Sequence, residues 1–238
     1  MRKKFLGLFG AMVMTCAMFT ACGSSADTSS SAESVTVEDE DVTTTAEDTS
    51  ANAEDGDYVV GTKDDFQLQE LGDTELAITK YLGDAEYVTI PDSISGRPIV
   101  KISGFHGNDS LNGIIIPDTV TKIDEKAFLG LENLETVVLG NGVETIGEEA
   151  FMICDNLKTI NFPDTITCIG EDAFNCNSME EIHIPLGINI INAGAFCNGN
   201  WEELIIPSNV KSIGREGFAA NDNLKVVYIE EGGRRNWI

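Results

Sequence analysis

The chain has 238 residues, 42% of them hydrophobic, with 40 acidic against 15 basic side chains and a formal net charge of −25. That balance excludes nucleic-acid recognition through phosphates and adsorption to an anionic bilayer. It suits a soluble, colloidally stable protein, or one that meets basic or cation-bridged partners.

Arg2, Lys3 and Lys4 open the chain, and Phe5 to Phe19 is an apolar run with small residues. The run has the length of a signal-peptide core and is too short for a membrane span of about 20 residues. It ends Phe19-Thr20-Ala21-Cys22-Gly23. A small residue directly before a Cys resembles the bacterial lipoprotein signal, with Phe19 standing where that signal usually carries Leu. The resemblance implies cleavage behind Ala21 and a lipid on Cys22, so residues 1–22 are read as a lipoprotein signal peptide. An ordinary secretory signal would leave Cys22 without a role. Residues 23–57 carry eleven acidic residues, no Lys or Arg, many Ser, Thr and Ala, and no aromatic. Such a segment buries too little apolar surface to offset its ordering entropy, so a disordered acidic linker is predicted. It would span roughly 30–35 Å as a coil, more with charge repulsion, which makes it a stalk. Residues 58–238 keep 29 acidic and 12 basic side chains.

From Ile90 to Ile229 one pattern repeats. Phe105, Phe128, Phe151, Phe174, Phe196 and Phe218 follow each other at 23, 23, 23, 22 and 22 residues. Some six residues after each Phe stands Leu111, Leu134, Leu157, Met179, Trp201 or Leu224. A period in the low twenties means a stacked solenoid, in which no unit buries its apolar face alone. Val120 and Ile123, Val143 and Ile146, Ile166 and Ile169, Ile188 and Ile191, and Val210 and Ile213 mark a first extended segment. Gly147, Gly170 and Gly214 close it, where a positive φ is predicted. Acidic pairs such as Glu148-Glu149 and Glu171-Asp172 then precede Ala-Phe, which opens a short helical or irregular turn, and acidic residues suit a helix start. The second strand places Val137 and Leu139, Ile160 and Phe162, Ile182 and Ile184, Leu204 and Ile206, and Val227 and Ile229 inward by period-2 alternation. Pro closes it at Pro117, Pro163, Pro185 and Pro207.

Phe151-x-x-Cys154-x-x-Leu157 and Ile206-Pro207-x-x-Val210-x-x-Ile213-Gly214 resemble the BspA-like class of bacterial leucine-rich repeats, over about residues 66 to 230. The resemblance implies a leucine-rich-repeat solenoid of about six to seven coils, mostly short β-strands with short helical or irregular turns. Leu76–Thr79, Gly83-Asp84 and Ile90-Pro91 fit an N-terminal cap and first strand over 58–90, and the solenoid proper occupies 91–238. Gly96-Arg97-Pro98 reads as a longer loop. The end from Glu230 to Ile238 shows no comparable cap, although Trp237 and Ile238 are placed to fold back over the last coil.

Four cysteines follow the signal: Cys154, Cys168, Cys176 and Cys197. Three positions before each Leu-type residue stand Asn108, Leu131, Cys154, Cys176, Asn198 and Asn221, which suggests an interior ladder of amides and small thiols. Cys154 and Cys176 would be neighbours about 4.8 Å apart; a bridge is geometrically allowed, and a ladder thiol is the reading taken. Cys168 is expected to point outward and Cys197 has no ladder register. No Cys-x-x-Cys pair has zinc spacing, and no metal or cofactor is expected.

The outward positions of the second strand form the candidate binding face: Tyr87, Thr89, Ile115, Thr136, Val138, Thr159, Asn161, Glu181, His183, Glu203, Ile205 and Tyr228, with Gly113 and Val226 between them. Exposed Ile115, Val138, Ile205 and Tyr228 are more apolar than a solvated face needs, which favours a partner; neighbouring side chains shielding an apolar sheet face is the equal alternative. Glu181, His183 and Glu203 could hold a cation or move a proton, but no pocket, nucleophile, phosphate loop or catalytic triad accompanies them. No enzyme is expected. The resemblance implies adhesion or host and interbacterial contact: a lipid-anchored, probable-monomer display protein on the extracellular face of the bacterial membrane, binding a protein or glycan and no nucleic acid. A structural envelope role without a ligand is the alternative, and a glycan-handling enzyme subunit a distant third.

Overall fold

A computed structural model describes residues 57–231 and 234–237, all within the unit spanning Asp48–Ile238. The signal segment, Cys22 and the linker up to residue 56 lie outside the described residues, as does Ile238. Each repeat makes one coil with three hydrogen-bonded sides. Sheet A is parallel and runs through Val59–Val60, Tyr87–Thr89, Gly113–Ile115, Thr136–Val138 and Thr159–Ile160. Sheet B begins with the antiparallel pair Phe66–Leu71 and Glu75–Tyr81, then continues parallel through Arg97–Ile102, Lys122–Ile123, Thr145–Ile146 and Cys168–Ile169.

Of the helical or irregular turn that the sequence allows on the third side, the structure takes the irregular one. The sole helical element among the described residues is the 3-10 turn Lys63–Asp65. Around each Phe the backbone forms a ladder instead. The N–H groups of Glu149, Phe151 and Ile153 donate to the carbonyls of Glu171, Ala173 and Asn175 at 2.9, 2.8 and 2.9 Å. The same triplet recurs at Lys126, Phe128 and Gly130, at Asp172, Phe174 and Cys176, and at Gly194, Phe196 and Asn198. Left-handed residues flank the Phe two places before it (Lys126, Glu149, Asp172, Gly194, Glu216) and two places after it (Gly107, Gly130, Ile153, Cys176, Asn198, Ala220). The acidic residues before Ala-Phe therefore sit in a left-handed bend, not at a helix terminus.

Gly147, Gly170 and Gly214 do not take the predicted positive φ. They are glycines because an added Cβ would overlap backbone of the preceding coil, at Glu125, Glu148 and Ala193. Close approach, not backbone freedom, selects them.

Inside, the rings of Tyr81, Phe105, Phe128, Phe151, Phe174, Phe196 and Phe218 form one stack. Successive centroids lie 5.1, 5.0, 4.8, 5.2, 5.7 and 5.6 Å apart, with interplanar angles of 29° or less. Each such pair contributes about 0.5–1.5 kcal/mol beyond its area burial. The predicted inward residues Val120, Ile123, Val143, Ile146, Ile166, Ile169, Ile188 and Ile191 are buried. Phe162 enters edge-on between Phe174 and Phe196, at 5.2 and 6.3 Å.

The first coil is closed by the hairpin of Phe66–Leu71 and Glu75–Tyr81. Arg97 ties down its turn, donating to Glu70 Oε1 at 2.7 Å and to the carbonyls of Gly72 and Glu75 at 3.0 and 2.9 Å. Arg97 is not in a long loop: Ser93–Ile94 pairs antiparallel with the start of Arg97–Ile102 around the left-handed Ser95-Gly96, the signature of a two-residue hairpin turn. At the far end, where no cap is evident in sequence, Arg234–Trp237 folds back antiparallel on Val226–Glu231 and covers that strand's edge. The last coil is otherwise looser, with Val210, Phe218 and Leu224 half-buried and Ile213 exposed.

Both sheets lapse at the same coil. Residues 181–184, predicted as a strand, form none and make no backbone–backbone hydrogen bond to either neighbouring coil. Pairing resumes in Glu203–Ile206 with Val226–Glu231 and in Ile190–Ile191 with Ser212–Ile213. The spacing shortens by one residue at this coil and the next: Cys154 bridges to Asn177, and Leu157 lies three residues beyond Cys154, where Met179 lies two beyond Asn177 and Trp201 two beyond Gly199. The Phe-centred ladder crosses this coil without interruption.

Three substitutions test this construction. Phe151→Ala, at the middle of the stack, should lower unfolding stability by about 3–5 kcal/mol in a denaturant titration. Gly147→Ala should cost about 1–3 kcal/mol through coil–coil overlap. Gly130→Asn, at a left-handed position with nothing within 4 Å of an added Cβ, should cost less than about 1 kcal/mol.

Candidate binding face

Sheet A aligns the predicted face into two columns. Register places Tyr87, Gly113, Thr136 and Thr159 in one, and Thr89, Ile115 and Val138 in the other. Beyond the lapse, Glu203 pairs with Val226 and Ile205 with Tyr228. The structure therefore brings the predicted residues onto one side, but as two paired segments separated by Glu181 and His183. Ile115, Val138, Ile205 and Tyr228, expected to be exposed, are half-buried by their neighbours. Asn161 is partly committed: its side chain exchanges two hydrogen bonds with the backbone of Leu139, at 2.6 and 2.8 Å.

Sequence reasoning missed Tyr58. The short strand that follows it pairs with Tyr87–Thr89, and its ring meets that of Tyr87 edge-on at 5.3 Å. Gly113 is what admits the pair, since a Cβ there would lie 2.5 Å from the Tyr87 ring and 2.6 Å from Tyr58 Oη. Burial, with Tyr87 beside it, pushes the Tyr58 phenol above its ordinary value. A Gly interrupting a column of Thr and Tyr was the available signal.

Glu181 and Glu203 show a feature absent from the sequence reading, which expects no pocket. A groove of about 690 Å³ opens where the sheets lapse, lined by Glu180, Glu181, Ile182, Asn200, Glu202, Glu203, Ile205 and Asn223. Glu202 is paired with Lys225 at 2.6 Å, but both side chains are about two-thirds exposed, so the pair screens the groove weakly. Glu180, Glu181 and Glu203 have no ion pair among the described residues. The groove offers carboxylates over an apolar floor and no nucleophile. No group of three or more His, Cys, Asp and Glu among the described residues could hold a metal ion.

The interior amide and thiol ladder exists with a corrected register. Counted from the Phe, its members are Asn108, Leu131, Cys154, Asn177, Gly199 and Asn221; Cys176 is not one of them. Asn177 donates to the Phe174 carbonyl, Asn221 to Phe218 at 2.6 Å, and Cys154 Sγ to the Phe128 carbonyl at 3.2 Å. Its members satisfy the carbonyls of the spine. Gly199 stands in the ladder because the buried Trp201 ring fills the space of its Cβ. A second, outer ladder escaped the sequence reading: Asn133 and Asn156 each donate to a carbonyl of the preceding coil at 2.7 Å. Its signal was the recurrent Asn directly before Leu134, Leu157 and Leu224.

On the opposite side, sheet B carries a groove of about 520 Å³ whose lining includes Lys122, Asp124, Gly147 and Cys168. Its cations are already committed. Asp124 accepts from Lys101 at 2.7 Å, Lys122 at 3.1 Å and Ser103 at 2.8 Å. Burial pulls the Asp124 carboxyl upward, but these donors outweigh it and hold it below its ordinary value. This surface is a satisfied structural cluster, not an anion site.

Three-sided parallel coils over a stacked apolar interior define a leucine-rich-repeat solenoid. The chain belongs to the BspA type leucine rich repeat region family, whose repeat profile matches six copies across residues 99–225. It is similar to a leucine rich repeat protein of T. pallidum at 28% identity, with a TM-score of 0.54 and 71% of each chain covered. It shares its fold with a leucine rich cell surface protein of Faecalibacterium prausnitzii A2-165, at 23% identity and a TM-score of 0.53, covering 74% of this chain and 57% of that one. No curated protein matches the chain. Among the described residues no helix is long and apolar enough to cross a membrane.

Asp124 supplies a pH-dependent prediction. Its folded pKa is lowered, so its contribution is present above the ordinary carboxylate pKa and is lost as pH falls through the folded value. Asp124→Asn should reduce stability by about 1 kcal/mol at pH 7 and by little at pH 2, as read from denaturation midpoints at the two pH values.

Proposed function

We propose that the protein is displayed outside a bacterial cell, tethered by a lipid on Cys22 and the acidic segment 23–57, and binds a protein or glycan of another surface through sheet A and the acidic groove. The observation that carries this reading is what the two segments of that face present: Tyr58, Tyr87, Ile115 and Val138 form a half-buried apolar track on one, and Glu180, Glu181 and Glu203 an unneutralised groove at the other. On sheet B, by contrast, Lys101 and Lys122 are both paired with Asp124. The cell-surface description of the F. prausnitzii relative supports an external location. The excess of acidic side chains points to partners with basic or neutral polar surfaces.

A screen of the purified protein on protein and glycan arrays tests the reading. Saturable binding should weaken at least about tenfold, roughly 1.4 kcal/mol, in Ile115→Asp or Glu203→Lys. It should be unchanged in Thr145→Lys on sheet B. Absence of any ligand at high concentration, or equal loss from the sheet B variant, would overturn it. For the tether, Cys22→Ala should release the protein from the membrane fraction into the medium; retention of that variant would exclude the lipid anchor.

A further inference from the structure

The corrected register has a chemical consequence for the cysteines. Cys176 is not beside Cys154, whose coil neighbour is Asn177. Its N–H donates instead to the carbonyl of Cys197 at 3.2 Å, one rung of the spine ladder. In a parallel ladder that bond sets the two Cα atoms one coil spacing apart and one residue along, about 5–6 Å. This falls inside the span of about 4.4–6.8 Å that a disulfide requires. We propose that Cys176 and Cys197 are a redox-responsive pair that closes into an inter-coil disulfide by exchange with a low-molecular-weight disulfide.

The other thiols do not compete. Cys154 is fully buried, hydrogen-bonded to the Phe128 carbonyl, and pushed by burial up to about 12. Cys168 is exposed on sheet B, paired across the ladder with Thr145. Cys176 is half-buried and reachable, and Cys197 is buried. That asymmetry assigns the order of events. The Cys176 thiolate attacks one sulfur of RSSR, the S–S bond breaks, and RS⁻ leaves with a mixed disulfide on Cys176. The Cys197 thiolate then attacks Sγ of Cys176 and expels the second RS⁻. The protein pair loses two electrons, RSSR gains them, and the two thiol protons end on two RSH. Burial raises both thiols above their ordinary value, and the negative charge of Asp155 adds to this at Cys176. Exchange should therefore be slow at neutral pH and accelerate as pH rises.

The location gives the bridge a purpose independent of what the repeat face binds. Cys176 and Cys197 lie on either side of the unpaired segment 181–184 in sequence, on successive coils that sheet A does not join there. A covalent link on the spine would reinforce the ladder and ring stack at the coil where the strand pairing is weakest.

The full chain, reduced and then incubated with oxidised glutathione at pH 7 and pH 9, is alkylated without reductant and digested for mass spectrometry. The expected product is a peptide cross-linked between Cys176 and Cys197, forming faster at pH 9, with Cys154 alkylated only after denaturation. The oxidised protein should melt about 5–10 °C higher than the reduced one, and Cys176→Ser should abolish that difference. A stable glutathione adduct on Cys176 without cross-link, a Cys154–Cys176 peptide, or two freely alkylated thiols after oxidation would each overturn the proposal. A cross-link without a change in melting would overturn its stapling role.

Discussion

The stack of aromatic rings with its flanking hydrogen-bond ladder is the constraint on which everything else in this solenoid depends. The strands of both sheets are mostly two or three residues long, and strands so short pair weakly by themselves. What aligns them is the Phe of each coil, seated 4.8–5.7 Å from the next between Phe105 and Phe218. Its own N–H and those two residues to either side bond to the following coil. The test case is the coil containing 181–184: both sheets fail there, yet the rings of Phe174 and Phe196 remain parallel within 4°. The spine tolerates the loss of the sheets. Sheet A pairs without a break from Tyr87–Thr89 to Thr159–Ile160, where the spacing after each Phe is constant.

The price of that spine is local strain, distributed by residue type. Left-handed backbone is required at two positions per coil, and in several coils Gly or Asn meets it. Elsewhere Lys126, Glu149, Asp172 and even the β-branched Ile153 accept it. For a β-branched residue this costs of order 1–2 kcal/mol, which the carbonyl partners on the next coil must offset. Glycine is reserved for the other problem. At Gly147 and Gly170 the backbones of successive coils approach too closely for any Cβ. The two needs look alike in sequence and are physically unrelated.

The solenoid, its period and its inward columns were legible because burial imposes a repeat on residue type. Each Phe, and each Val or Ile at the predicted inward positions of the middle coils, is where the periodicity puts it. Hydrogen-bond register left no such mark. Glu181-Ile182-His183-Ile184-Pro185 has the same alternation as Lys158-Thr159-Ile160-Asn161-Phe162-Pro163, so nothing in it signals a missed ladder. A one-residue deletion lies between Asn177 and Met179, and counting back from Met179 hides it by assigning Cys176 to the interior. Counting forward from Phe174 exposes it. The candidate face was legible as an alternation, while its Tyr58 edge, its half-buried apolar track and its groove arise from contacts between coils that a single repeat does not encode.

Because the spine stays paired across the lapse, the face beside it is released from the requirement to pair. A groove can open between 181–184 and Glu203–Ile206 without separating the coils, and the side chains lining it need not support a ladder. Glu180, Glu181 and Glu203 occupy that released ground, where three like charges would oppose the tight strand pairing found elsewhere in sheet A. The lapse and the carboxylates are thus mutually consistent: the pairing absent there is pairing that the carboxylates would destabilise. Sheet B lapses too but gathers no comparable charge, since Ile190 and Ile191 carry its strand there. The asymmetry places the chemical individuality of this chain on sheet A, at the coil where its strand pairing lapses.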